Sequence, residues 1–108
     1  MPWRVETLNA TVDGELDALP ADMRARFAHI GELIVAVGLE RVGAPHVRHL
    51  TGPLWEMRFR GRDGIARALY VTAKDRRVVV VRVFVKKTRR TPRREIELAL
   101  RRAAEVSK

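Results

Sequence analysis

The chain has 108 residues and a 46% hydrophobic content, enough for one packed core over residues 1–108, and with no cysteine it excludes disulfide frameworks and thiolate zinc sites. No apolar run approaches the roughly 18 to 20 residues that span a bilayer, and the opening MPWRVETLN lacks the basic-then-apolar layout of a secretory signal. Those two readings point to a cytoplasmic protein, and the formal net charge of +9 to an anionic partner.

In chain order, residues 3–8 (WRVETL) set Trp3 and Val5 against Arg4 and Glu6, which predicts a first strand. Asp13 is placed to cap a short helical turn, DGELDAL, closed by Pro20. A helix is predicted over residues 20–37, where Met23, Phe27, Ile30, Ile34 and Val37 recur at steps of three or four and Gly38 stops the run. His29 lies beside that stripe and reads as a helix-boundary residue. Residues 39–53, broken by Gly43, Pro45, Gly52 and Pro53, read as a connector. Its His46 and His49 lack the helix and the third ligand that a metal pair needs.

Residues 54–60 alternate cleanly, with Trp55, Met57 and Phe59 on one side and Glu56, Arg58 and Arg60 on the other. The GRDG turn at 61–64 reverses the chain into IARALYVTA. If Arg60 and Ile65 flank that turn as partners, Arg58 stands opposite Arg67. Like charges across a ladder destabilise it unless an anion sits between them. A turn at 74–77 leads into a valine strand, Val78 to Val81, Val83 and Val85, that reads as buried on both faces and completes a three-stranded antiparallel meander.

Cationic residues then crowd the connection to the last helix: Lys86, Lys87, Arg89, Arg90, Arg93 and Arg94. That helix is predicted over residues 92–106, with Thr91 as N-cap, Pro92 at the first helical position and Ile96, Ala99, Leu100, Ala103 and Val106 on its apolar stripe. Residues 1–57 hold 5 Lys+Arg and 8 Asp+Glu, a balance of −3, while residues 58–108 hold 17 and 5, a balance of +12. The half containing the valine strand therefore carries all the positive excess, and a polyanion is the natural partner.

The chain has one serine, Ser107, near its end, no glycine-rich phosphate loop, no paired acidic metal motif and, on this reading, no histidine beside a strand end. Nucleophilic triads and metal hydrolysis are thereby disfavoured. Arginine and lysine on a sheet face suit the cleavage of RNA by its own 2′-hydroxyl, in which the substrate supplies the nucleophile. The protein then needs only to orient the backbone, stabilise charge on the phosphate and move protons.

The element order, together with GPLWEMRFR, GIARALY and VFVKKTRRTPRREIELA, resembles the RelE/ParE toxin superfamily over roughly residues 3–105, and within it the phage-derived HigB-like toxins. The resemblance implies an α+β, RelE-like fold: a small, mostly antiparallel sheet with N-terminal helices packed on it and a C-terminal helix. It implies the toxin of a type II toxin–antitoxin system, an endoribonuclease that uses no metal or cofactor, cleaves mRNA at the ribosome and is silenced by a cognate antitoxin, often a helix-turn-helix protein. Arg58 and Arg60 match basic residues of the family's second strand, Arg67 the arginine of its third, and Lys86 and Lys87 the basic position after its last core strand. By resemblance, Arg58 and Arg67 clamp the phosphate and stabilise the transition state, and Lys86, Lys87 or a nearby group handles the proton shuttle. The basic run at the strand end and helix start places Arg60, Arg82, Arg89, Arg90, Arg93 and Arg94 on the RNA, with His49, just ahead of the next strand, as a further contact.

This sequence departs from the best-known members twice. No tyrosine follows in the C-terminal segment, and Glu56 stands where they carry a lysine. The acid and base are therefore open. Tyr70 either touches substrate or packs in the sheet; Glu56 is either a general base or an exposed carboxylate balancing Arg58. Two other function classes share these features: a ParE-like toxin that binds a DNA topoisomerase without cleaving RNA, and a passive nucleic-acid-binding module. The density of Lys86 to Arg94 counts against the first, and the scarcity of aromatic stacking platforms against the second.

Overall fold

The computed structural model describes residues 2–43, 46–86 and 90–106. Five strands, β1 (Arg4–Thr7), β2 (Val47–Thr51), β3 (Leu54–Gly61), β4 (Gly64–Ala73) and β5 (Arg77–Lys86), form one sheet in the order β1-β5-β4-β3-β2. Helices α1 (Ala10–Asp17), α2 (Ala21–Val37) and the short α3 (Leu39–Val42) lie between β1 and β2 in sequence, and α4 (Arg93–Ala103) follows β5. No helix is long and apolar enough to cross a membrane.

The expected meander is β3-β4-β5, and the sheet extends it on both sides. β1 joins β5 in parallel, from Arg4 opposite Arg77 to Thr7 opposite Val80. β2, inside the segment read as a connector, pairs antiparallel with β3, from Val47 opposite Met57 to Thr51 opposite Leu54. Only β1 and β5 run parallel, because the helices between β1 and the hairpins carry the chain over the sheet, as a parallel pairing requires.

From Val78 to Val83 the strand's valines are buried on both faces, as its composition predicts, but Val85, expected in the core, is 39% exposed near the strand's end. Val78, Val80 and Val83 join α1 and α2 in one core with Met23, Ile30, Ile34, Met57, Phe59 and Tyr70. Val79, Val81 and Phe84 pack with Leu54, Leu69, Ala99, Ala103 and Val106 in a second core beneath α4. A bulge makes the change of face possible. Leu69 pairs with Arg82 and Tyr70 with Val80, leaving Val81 as the extra residue on β5. Both Val81 and Arg82 thereby lie toward α4.

Several helix ends differ from expectation. α1 starts at Ala10, because the Asn9 side chain accepts a hydrogen bond from the Val12 N–H and caps it ahead of Asp13. The apolar stripe of α2 ends at buried Ile34, leaving Val37 48% exposed. At α4 the N-cap is Pro92, with no side-chain cap. Thr91 is not the cap because its hydroxyl is engaged elsewhere, with Glu56 and Arg67.

Candidate functional site

Strand register brings the predicted cations of β3, β4 and β5 onto the α4 face of the sheet. Across the three strands, Arg60 pairs with Ile65 and Ile65 with Lys86; the next row is Arg58, Arg67 and Phe84; the next is Glu56, Leu69 and Arg82. β2 adds Arg48 opposite Glu56. Since neighbouring strands lie about 4.8 Å apart, Arg58 stands directly beside Arg67, and Lys86 lies two strands from Arg60. The two-residue GRDG turn fixes this register. Its start is held against α2, where the Arg62 N–H donates to Asp22 Oδ2 at 2.7 Å.

The like-charged pair is reconciled from within the protein. Arg67 is fully buried, and Glu56, 1% exposed, sits beside it. Arg67 Nη1 donates to Thr91 Oγ1 at 2.9 Å, and the Thr91 hydroxyl donates in turn to Glu56 Oε2. Arg58 Nε lies 3.4 Å from Glu56 Oε1. Burial lowers the pKa of the Arg67 guanidinium; Glu56 opposes that shift, and Arg58 and Arg48 add to it. The guanidinium nevertheless stays charged, as arginine does in proteins.

Two expectations are corrected here. Arg67 does not present its guanidinium to solvent as a phosphate clamp. Glu56 does balance Arg58, but as a buried anion, and burial removes it from service as a solvent-facing general base. Of the two readings of Tyr70, packing in the sheet is the one borne out. The residue is fully buried in the core shared with α1 and α2, and its hydroxyl finds no hydrogen-bond partner among the described residues. Burial pushes its pKa well above the usual phenol range. It packs in the sheet, out of reach of substrate.

Two residues expected on the RNA path have other work. Arg82 donates to both carboxylate oxygens of Glu95, at 2.7 and 3.1 Å, and lies 2.9 Å from Glu15 Oε2. Arg102 joins the same cluster, donating to Glu15 and to the Val81 carbonyl at 2.9 Å, while the Val83 N–H donates to Glu15 at 3.1 Å. These contacts tie α1 and α4 to β5 at the point where β1 has ended, so Arg82 is a structural residue. His49 lies opposite Trp55 on the sheet face away from Arg58, with the two rings 5.1 Å apart and Nε2 2.8 Å from the Gly52 carbonyl.

Arg60, Arg90, Arg93 and Arg94 are exposed, and Lys86 is half-buried. Arg93 makes a 3.3 Å contact with Glu97 one turn along α4. Lys87 and Arg89 lie outside the described residues.

Beside the cation rows is a cleft of about 510 Å³ lined by Arg26 and His29 of α2, by His46, and by Arg58 and Arg60 of β3. It exists because β2 begins only at Val47, opposite Met57, while β3 continues to Gly61. Among the described residues, the last paired contact on that side is the Arg58 N–H donating to the His46 carbonyl at 2.7 Å. Sequence reasoning set His29 aside as a boundary residue and considered His46 only as a metal ligand. It placed Arg26 off the apolar stripe with no role in a site and passed over Arg48, because neither motif nor periodicity shows that α2 lies over the open edge of β3 or that residues 47–51 form a strand.

A family model for phage-derived Gp49-like proteins (DUF891) matches residues 14–104. No curated protein sequence matches the chain. Among solved structures, a free double-arginine mutant of the E. coli toxin RelE is similar at a TM-score of 0.62, with 11% identity and 97% of each chain covered. The archaeal RelE-RelB complex from Pyrococcus horikoshii contains a chain similar at a TM-score of 0.57, with 25% identity over 83% of this chain and 100% of that one. Fold, register and the matched span together place the chain in the Gp49-like family of phage-derived proteins, a RelE-type toxin family.

Proposed function

We propose that this toxin is a HigB-like endoribonuclease that cleaves mRNA at the ribosome without a metal, by attack of the RNA's own 2′-hydroxyl. The observation that carries the reading is the convergence of Arg58, Arg60 and Lys86 on one sheet face, beside a cleft that Arg58 and Arg60 also line. Exposed Arg60 and half-buried Arg58 and Lys86 hold the scissile phosphate and oppose the charge that gathers on it. Arg67 acts one layer below, as a positioning residue that fixes Glu56, and through it Arg58, while Thr91 ties the approach to α4 to the same pair. The basic surface of residues 58–108 draws the RNA in.

A cognate antitoxin fits the same surface, since an acidic or helical partner across it would both neutralise the charge and block the RNA. The neighbour crystallised as a RelE-RelB complex supports such a partner. The setting is the cytoplasm, where ribosomes and messages are found. Primer extension on messages from expressing cells tests the proposal. New 5′ ends within reading frames, abolished by Arg60→Ala, support it; intact messages accompanied by DNA damage would favour topoisomerase binding instead.

A further inference from the structure

Cations alone do not complete the reaction, because self-cleavage of RNA needs a proton taken from the 2′-oxygen and another given to the departing 5′-oxygen. Arginine does not release its proton in proteins, and burial removes Glu56 and Tyr70 from contact with solvent. The cleft between α2 and the open edge of β3 holds two imidazoles beside these cations. His46 is half-buried just ahead of β2, and His29 is exposed on α2. Imidazole is the side chain whose ordinary titration range suits it to both halves of such a transfer near neutral pH.

We infer that His46 and His29 form the acid–base pair of this site, with Arg26, Arg58 and Arg60 binding the phosphodiester between them. One neutral imidazole takes the 2′-hydroxyl proton as the 2′-oxygen forms its bond to phosphorus. The bond from phosphorus to the 5′-oxygen breaks, and the second ring, as imidazolium, gives that oxygen its proton. The products are a 2′,3′-cyclic phosphate and a 5′-hydroxyl, and the two rings end with their protonation exchanged. The charged groups facing the rings are Arg26 from α2 and Arg58 and Arg60 from β3, and no carboxylate lines the cleft among the described residues. Arg58 also meets Glu56 at 3.4 Å, outside the cleft lining, and a phosphate entering the cleft supplies the anion that the lining lacks. His46 is anchored through its backbone carbonyl, which accepts from the Arg58 N–H. Substituting its ring therefore leaves that bond in place.

This inference rests on the ribonuclease reading, and one experiment separates the two. Single-turnover cleavage of a defined message on purified ribosomes is measured from pH 5.5 to 8.5 for wild type, His46→Ala, His29→Ala and the double variant, with thermal midpoints alongside. The expected result is a bell-shaped rate profile for wild type, a loss of about a hundredfold in each single variant, and the disappearance of one limb of the profile in each. RNA binding, followed with a 2′-deoxy analogue, changes by less than about threefold. Unchanged rate and profile in either single variant overturn the inference and leave the ribonuclease reading standing. No cleavage by folded wild type overturns that reading and the inference with it. Should a variant unfold, imidazole proton resonances of wild type, titrated with the 2′-deoxy analogue, decide: movement of both supports the pair, and movement of neither overturns it.

Discussion

Replacing Arg67 should damage the fold before it damages the chemistry. Its side chain is fully buried and Glu56 is 1% exposed. In Arg67→Met the Glu56 carboxylate is left with the Thr91 hydroxyl and a 3.4 Å contact to Arg58 as its remaining described partners. Breaking a buried pair from one side costs about 3 to 5 kcal/mol, because the surviving charge is neither solvated nor neutralised. Against a typical total of about 5 to 15 kcal/mol, that brings a domain of this size close to unfolding. Adding Glu56→Leu removes the stranded charge and should recover most of the loss. Urea unfolding of wild type, both single variants and the double variant gives the coupling directly, provided the slope is unchanged. We expect a coupling of about 2 kcal/mol or more. A value near zero, with Arg67→Met as stable as wild type, would refute the positioning role and return Arg67 to direct contact with substrate. Relief of growth arrest by an Arg67 variant is therefore interpretable only beside its stability.

Other substitutions probe the frame around the site. Glu15→Ala strips one acceptor from Arg82, Arg102 and the Val83 N–H together, and urea unfolding should show a loss of about 2 to 3 kcal/mol. Gly61→Ala would put a Cβ 2.5 Å from Met23 Cγ and 2.8 Å from Asp22 Oδ2; a loss of about 1 to 3 kcal/mol in the same assay is expected as α2 is pushed off the hairpin. The hydrogen bond from Arg77 holds the Glu6 carboxyl below its ordinary value of 4.5. Its contribution to stability is therefore full above that value and is lost as pH falls through the lower folded value. Glu6→Gln should make the acid side of the stability profile shallower and leave its slope near neutrality unchanged.

How far the sequence could be read depends on whether local chemistry or distant packing decides. The valine strand was legible because β-branched residues without polar alternation suit a strand covered on both faces. The opposition of Arg58 and Arg67 was legible because a two-residue turn flanked by alternating residues leaves little choice of register. What lies above that face was not. Thr91 followed by Pro92 looks like a helix start, and only the docking of α4 shows the threonine bridging Arg67 to Glu56. The same docking buries an arginine that alternation alone would leave exposed. β2 was hidden because Val47, the one buried residue in a strand of polar and half-exposed neighbours, gives no periodic signal. The cleft escaped notice because it depends on β2 starting late against β3, and on a helix some thirty residues earlier lying over the gap.

The account depends most on the claim that the RNA cuts itself while cations on the sheet face hold its phosphate. The direct measurement is cleavage of a ribosome-bound message whose single scissile nucleotide carries either a 2′-hydroxyl or a 2′-hydrogen, with the product ends identified by mass spectrometry. The account predicts that the ribose substrate yields a 2′,3′-cyclic phosphate and a 5′-hydroxyl, that Arg60→Ala slows this by about a hundredfold, and that the deoxy substrate is bound but uncut. Cleavage of the deoxy substrate, or product ends carrying a 5′-phosphate, would contradict it.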